Sequence, residues 1–316
     1  MFKSEQIQLG ISACLMGEKV RFDSGHKRSH FCVEELGKHV KYQAFCPEVA
    51  VGMPVPRPTI RQIRKQDMIH VARPDGSGDV TEAMQAYGKK VAAKMQHLSG
   101  YVFCAKSPSC GMERVKVYHE NGSGSESVGV GVFAAEVMRA NPLMPCEESG
   151  RLNDAIIREN FVMRVFTYHK WQCLVETGLT KGKIIQFHSQ HKYLLMAHSL
   201  KAYKELGQLL AQADFDVQTT ASLYIAGLMA GLKNKATRRS HTNTLQHLQG
   251  YFKKELNKWQ KAELSEQIRD YRNGLVPLLA PLTLLKHYLL AHPKAYLQSQ
   301  VYLDPYPADL KLRYAY

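Results

Sequence analysis

The 316-residue sequence holds no run of about 18 apolar residues, which excludes a conventional membrane-spanning helix. Its opening residues, MFKSEQIQLG, lack a basic stretch followed by an apolar core, so no secretory leader is expected. Cysteine is sparse: seven residues, an odd number, with no C-x-x-C pair and no framework spacing. That pattern argues against a disulfide scaffold and against a knuckle-type zinc site, and it leaves free thiols or metal ligation in a cytoplasmic protein. Internal repeats and low-complexity tracts are also missing. Acidic residues run short in one half only. Residues 1–150 carry 19 Lys/Arg against 16 Asp/Glu, whereas residues 151–316 carry 23 against 12. Of the net +14, about +11 therefore belongs to the second half. Scattered lysines serve solubility, but an asymmetry of this size points to a polyanion such as nucleic acid.

In the first half, strand-like and helix-like stretches alternate. IQLGISAC (7–14) reads as a buried strand, and a basic, Gly-containing loop follows it. Residues 31–40 have helical spacing, 42–45 read as a strand, and the proline-rich 49–64 read as a loop. Residues 68–71 suggest another strand. Asp79 and Glu82 stand where a capping box would open a helix to about residue 98. YVFCA (101–105) is strand-like and runs into KSPSCG (106–111), a turn that neither strand nor helix can extend through. A short strand at 115–118, a flexible loop through ENGSGSESVGVG, a helix near 129–140 and a last strand near 141–146 complete this half. The order predicts an α/β domain over 1–150, with a mainly parallel sheet and flanking helices. Residues 151–316 show helical patterns at 151–166, 183–208, 216–232, 240–270 and 275–290, and predict an all-α domain.

In parallel sheets, ligands sit beyond the carboxyl ends of the strands. Cys14, Cys46 and Cys110 fall at three such ends, each with a breaker close behind: Gly17, Pro47 and Gly111. Separations of 31 or more residues leave two readings open: three unrelated buried thiols, or a shared soft-metal site. A 4Fe-4S cluster usually takes four cysteines, so three would leave one iron open. Cys104 lies inside the strand pattern and reads as core. Cys32, Cys146 and Cys173 read as structural. His188, His191, His198, His241 and His247 have no acidic neighbours, which favours packing, phosphate or ribose contacts over metal.

Several short motifs stand in a fixed order: SACLMG (12–17), RFD (21–23), CPE (46–48), GMPVPRP (52–58), GDVT (78–81), KSPSCG (106–111) and GVGVFAAE (129–136). Together they resemble the 2-thiouracil desulfidase (TudS) family. RENFVMRVF (158–166), FHSQHKYLLMAHS (187–199), NTLQHLQGYFKK (243–254) and the VPLLAPLTLLKHY run (276–288) resemble a YbgA-like helical domain. The fused arrangement resembles the tRNA 4-thiouridine desulfidases (RudS).

That resemblance implies a 4Fe-4S cluster on Cys14, Cys46 and Cys110, with one open iron to take the thiocarbonyl sulfur of a substrate. It implies Glu48 as the acid–base carboxylate and Ser107 as a serine beside the substrate, with Ser109 only shaping the turn. The expected partner is tRNA, with no membrane and no obligate protein partner. Candidate phosphate contacts are Lys192, Lys233, Lys235, Arg238, Arg239, Lys253 and Lys254, with Arg28 and Arg57 among several extending the basic path in the first half. Phe22, Tyr251 and Phe252 are candidate stacking partners for a splayed base. Two rivals stand beside this reading: a desulfidase of free thiouracil or thiouridine, and a nucleic-acid-binding protein whose cluster is structural or sensing.

Overall fold

The computed structural model describes residues 7–121, 123–212 and 216–315. The chain divides into two compact units, Met1–Asp154 and Ala155–Tyr316.

The first unit is α/β. One four-stranded sheet is built from β1 (Gln8–Ser12), β2 (Lys41–Phe45), β5 (Gly100–Phe103) and β8 (Cys146–Glu148), in the order β2-β1-β5-β8. All its neighbours are parallel. Leu9 and Ile11 of β1, and Tyr101, Val102 and Phe103 of β5, are wholly buried, as expected of central parallel strands covered on both faces. The chain goes from β1 outward to β2, then crosses back to β5 on the other side of β1. The crevice at the carboxyl ends of β1 and β5 is therefore the topological switch point. Two helices, α2 (Thr81–Ala92) and α3 (Val132–Ala140), pack closely where Gly88 admits Glu136.

A second, mixed sheet was not expected from the sequence. Its strands are β3 (Arg61–Lys65), β4 (Met68–Ala72), β6 (Val115–His119) and β7 (Ser125–Gly129), in the order β4-β3-β6-β7. Two antiparallel hairpins join through the parallel pair β3–β6. The stretch read as a proline loop thus contains most of β3, since all its prolines precede residue 59. The stretch read as a flexible loop contains β7. Four of the five β7 residues are exposed, so pairing with β6 defines this strand and hydrophobic alternation does not. Residues 31–40 form only a π turn and a 3-10 turn, not a regular helix. At α2 the expected capping box is absent. Asp79 instead accepts hydrogen bonds from the backbone N–H (2.9 Å) and hydroxyl (2.6 Å) of Thr81.

The second unit is helical, with no strand among its described residues: α4 (Ala155–Glu176), α5 (Lys181–His198), α6 (Leu200–Ala211), α7 (Val217–Leu232), α8 (Arg238–Gln249), α9 (Lys258–Asn273), α10 (Leu279–Ala291) and the short α11 (Ala295–Gln298). The single helix expected over 240–270 is two. α8 ends in a 3-10 turn at Gly250–Phe252, and Asn257 opens α9 with a capping box to Gln260. Gly274, at φ +82°, closes α9 in the left-handed region.

Candidate functional site

Every functional side chain of the first unit hangs from the carboxyl edge of the parallel sheet. Cys14 sits in a buried 3-10 turn straight after β1. Cys46 follows β2 and precedes α1 (Pro47–Ala50), whose first turn carries Glu48. Cys104 follows β5, and Cys110 comes six residues later in the KSPSCG turn. Lys106 takes φ +62°, a strained value for a lysine, and reverses the chain there.

The turn is held from several sides. Gly111 N–H donates to Ser107 O at 2.8 Å. Ser107 Oγ accepts from the N–H groups of Ser109 (3.3 Å) and Cys110 (3.1 Å). The start of α3 grips the outside, with Gly131 N–H on Gly111 O at 2.7 Å and Phe133 N–H on Ser109 O at 3.0 Å. Gln62 of β3 donates to Pro108 O at 3.0 Å and Val130 O at 2.7 Å, tying the second sheet to the same loop. A Cβ at Gly131 would lie 2.6 Å from the Ser109 carbonyl, which only glycine allows. Gly131→Ala is therefore expected to cost about 1–3 kcal/mol in urea unfolding. Gly182→Ala in α5, where a Cβ meets nothing, is the contrast, expected to leave stability unchanged or raise it by up to about 1 kcal/mol.

Cys14, Cys46, Cys104, Cys110, Glu48 and Ser107 all line one cavity of about 200 Å³. Phe22 and Lys27 also face it. Glu48 is clamped. Its Oε2 accepts from Arg57 through Nε at 3.0 Å and through Nη2. Its Oε1 accepts from Ser109 Oγ at 2.6 Å. Arg57 is itself fixed by the carbonyls of Pro54 (3.2 Å) and Val20 (2.9 Å).

The four thiols differ electrostatically. Burial pushes the Cys46 and Cys110 thiols up from their ordinary range. Cys14 and Cys104 share a side-chain hydrogen bond, which pushes Cys14 up and pulls Cys104 down. Lys27 and Arg21 also act on Cys104 in the lowering direction.

The structure changes three assignments here. Ser109, read from the sequence as shaping the turn, is the hydroxyl on Glu48, while Ser107 holds the turn's N–H groups and faces the cavity. Cys104, read as core, is a fourth thiol of the cavity wall. Arg57, expected on a basic surface, is only 7 % exposed, and its guanidinium serves Glu48. A phosphate backbone cannot reach it.

The donor set suits soft iron. Cys14, Cys46 and Cys110, pushed up by the neighbouring thiol or by burial, hold their protons until a thiophilic cation replaces them, whereas Cys104 is pulled down to about 7. Among the described residues, no three His, Cys, Asp or Glu side chains converge on a point that would hold a single ion. A cluster asks for something different, since each thiolate takes its own iron and the ligands ring a cavity. Cys14, Cys46 and Cys110 all line this one.

In the second unit, Lys233, Lys235, Arg239, Lys253 and Lys254 are exposed. Arg238 is also exposed but lies over the Tyr271 ring and donates to Tyr271 O at 3.1 Å. Lys192 is half-buried between the rings of Tyr193 and Tyr296. In the first unit Arg28 is exposed and paired with Glu34. Phe252 is fully buried and cannot stack a base. His191 and His241 are buried too, bonded to Phe187 O at 2.8 Å and Tyr302 Oη at 2.9 Å, so they pack the helices and do not meet phosphate. Sequence reasoning missed Trp259, which is 81 % exposed at the start of α9 beside Lys258.

Comparison with known proteins gives separate matches. Residues 9–149 match the 2-thiouracil desulfurase family, and residues 192–307 match a family described as a protein of unknown function, DUF1722. The uncharacterized protein YbgA of Escherichia coli (strain K12) is 34% identical over 163 residues, which is 50% of this chain and 94% of YbgA. A solved [4Fe-4S]-dependent thiouracil desulfidase, TudS, is 30% identical over 47% of this chain and 94% of its own, with a TM-score of 0.37.

Proposed function

Since the chain belongs to the YbgA family and joins a TudS-like domain to its YbgA-like one, we propose that it is an iron–sulfur-dependent desulfidase that converts 4-thiouridine in tRNA to uridine. The observation that carries this reading is that Cys14, Cys46 and Cys110 line one cavity with a clamped carboxylate, Glu48, in its wall. A purely structural cluster needs no such carboxylate.

The reaction exchanges C=S for C=O. Water adds to the thiocarbonyl carbon, the C–S bond breaks, sulfur leaves as sulfide, and no net electron is transferred. A 4Fe-4S cluster held by Cys14, Cys46 and Cys110 would supply a Lewis acid and a sulfur acceptor there. Glu48 takes the proton from the attacking water and returns it to the departing sulfur or the ring nitrogen. Arg57 and Ser109 each hold one of its oxygens, so the carboxylate is aimed before substrate arrives. Ser107 Oγ lies 2.9 Å from Ser109 Oγ and faces the cavity, where it can hydrogen-bond the base or the water. Phe22, 39 % exposed on the cavity wall, offers a face to a base.

The substrate class rests on the second unit's charge. A free uncharged base needs no +11 surface, whereas tRNA phosphates do. Exposed Lys235, Arg239, Lys253 and Lys254 are the proposed phosphate contacts, and Trp259 beside Lys258 is a stacking face for an unpaired base. The test pairs thiolated tRNA with free 4-thiouracil as substrates for the Lys253→Ala/Lys254→Ala protein. Affinity for tRNA should fall, and the slope of log K against log salt should shrink by about one per contact removed. Turnover of the free base should stay as in the parent. Equal handling of tRNA by parent and variant, with an unchanged salt slope, would move the reading to the free base, which the 2-thiouracil desulfurase match favours.

A further inference from the structure

Cys104 is the one cavity thiol that the ligand set leaves unused, and it touches a ligand. The register of β1 on β5 pairs Ile11 with Val102. Beyond the paired residues, Cys104 comes directly after β5 and Cys14 lies in the 3-10 turn that follows β1. Cys104 N–H donates to Ser12 Oγ at 3.0 Å, which fixes its backbone two residues from Cys14. Neighbouring strands lie about 4.8 Å apart, within the span of roughly 4.4–6.8 Å between Cα atoms that a disulfide bridges. Both side chains line the same cavity, and each is the other's foremost electrostatic neighbour. For Cys46 and Cys110 burial is the foremost influence, not a neighbouring thiol. Both cysteines are buried but line the cavity, which the exposed Phe22 and Lys27 also line, so a small oxidant approaches them from that side.

We infer that Cys14 and Cys104 form a redox-active dithiol, which hydrogen peroxide converts to a disulfide whenever the cluster is absent. The thiolate of one cysteine attacks the peroxide, giving a sulfenic acid and water. The other thiol then displaces a second water as the S–S bond forms. Two thiols and one peroxide thus yield one disulfide and two waters. The bond ties the ends of β1 and β5 together and removes Cys14 from the ligand set. A returning thiol reductant restores it. That Cys14 is a ligand rests on the proposed function; that the pair oxidises does not.

The test uses the full chain. Cluster-free protein is treated with hydrogen peroxide, then alkylated, digested and mapped by mass spectrometry. The expected product is a cross-linked peptide pair containing Cys14 and Cys104, two hydrogens lighter than its parts and absent from Cys104→Ser. In a parallel arm, anaerobically cluster-loaded protein is treated with the thiol-specific oxidant diamide. It should form the same link about tenfold or more slowly than cluster-free protein, because a coordinated thiolate is withheld from exchange. Peroxide giving sulfinic acid on either cysteine, or a dominant link through Cys46 or Cys110, overturns the dithiol. A Cys14–Cys104 link that forms equally fast with and without the cluster leaves the dithiol standing and removes Cys14 from the cluster.

Discussion

Glu48→Gln should keep the iron–sulfur absorption of the parent protein and lose roughly 10²–10⁴-fold in turnover. Glutamine fills the same volume and still accepts from Arg57 or Ser109 through its carbonyl oxygen. It has no carboxylate to take a proton from water. The separation of cluster content from rate is what makes the variant informative. A residue that only shaped the pocket would lower both. The parallel assay reads iron and sulfide content alongside sulfide release, and full turnover in a loaded Glu48→Gln protein would remove the acid–base role. Arg57→Ala should fall between the two, since it leaves the carboxylate present but free to swing away from the cavity.

The second large effect concerns the thiols. Alanine at Cys14, Cys46 or Cys110 should abolish formation of a stable cluster, and with it sulfide release. Alanine at Cys104 should load iron as the parent does. The distinction cannot come from position alone, because all four line the same cavity. It comes from the motifs: Cys14 and Cys104 are each other's foremost electrostatic neighbour, so the two compete for one ligand place, and SACLMG (12–17) is the motif whose resemblance assigns that place to Cys14. Iron quantification and absorption after anaerobic reconstitution check this. Loss of the cluster in Cys104→Ala as complete as in Cys110→Ala would make Cys104 a ligand.

Strand ends carried most of what the sequence could say about the site. Leu9–Ile11 and Tyr101–Phe103 announce themselves because both faces of their strands are covered; Cys14 after the first was legible as a site residue, whereas Cys104, directly after the second, read as more of the same core. Glu48 is legible for a similar reason, two residues past a strand-end cysteine. What holds Glu48 is not. Ser109 lies 61 residues away in sequence, and the hydroxyl pair at 107 and 109 looks symmetric until the backbone N–H groups claim one of them. Arg57 sits in a run of prolines and arginines that reads as basic surface, and only its bonds to Glu48, Pro54 and Val20 show it turned inward. The second sheet was hidden because the internal strand β3 and the edge strand β7 are polar in sequence, and their identity lies in their partners. Phe252 illustrates the converse error. Its basic neighbours Lys253 and Lys254 suggested a surface, but a 3-10 turn points the ring into the helical core.

The central claim is hydrolytic desulfidation, and oxygen-18 water tests it most directly. Cluster-loaded protein is incubated anaerobically in oxygen-18 water with thiolated tRNA, which is then digested to nucleosides for mass analysis while free sulfide is measured. The account predicts that 4-thiouridine disappears, that the uridine replacing it carries one oxygen-18, and that one sulfide is released per nucleoside converted. Unchanged 4-thiouridine with no sulfide, from protein whose cluster is intact, would contradict it.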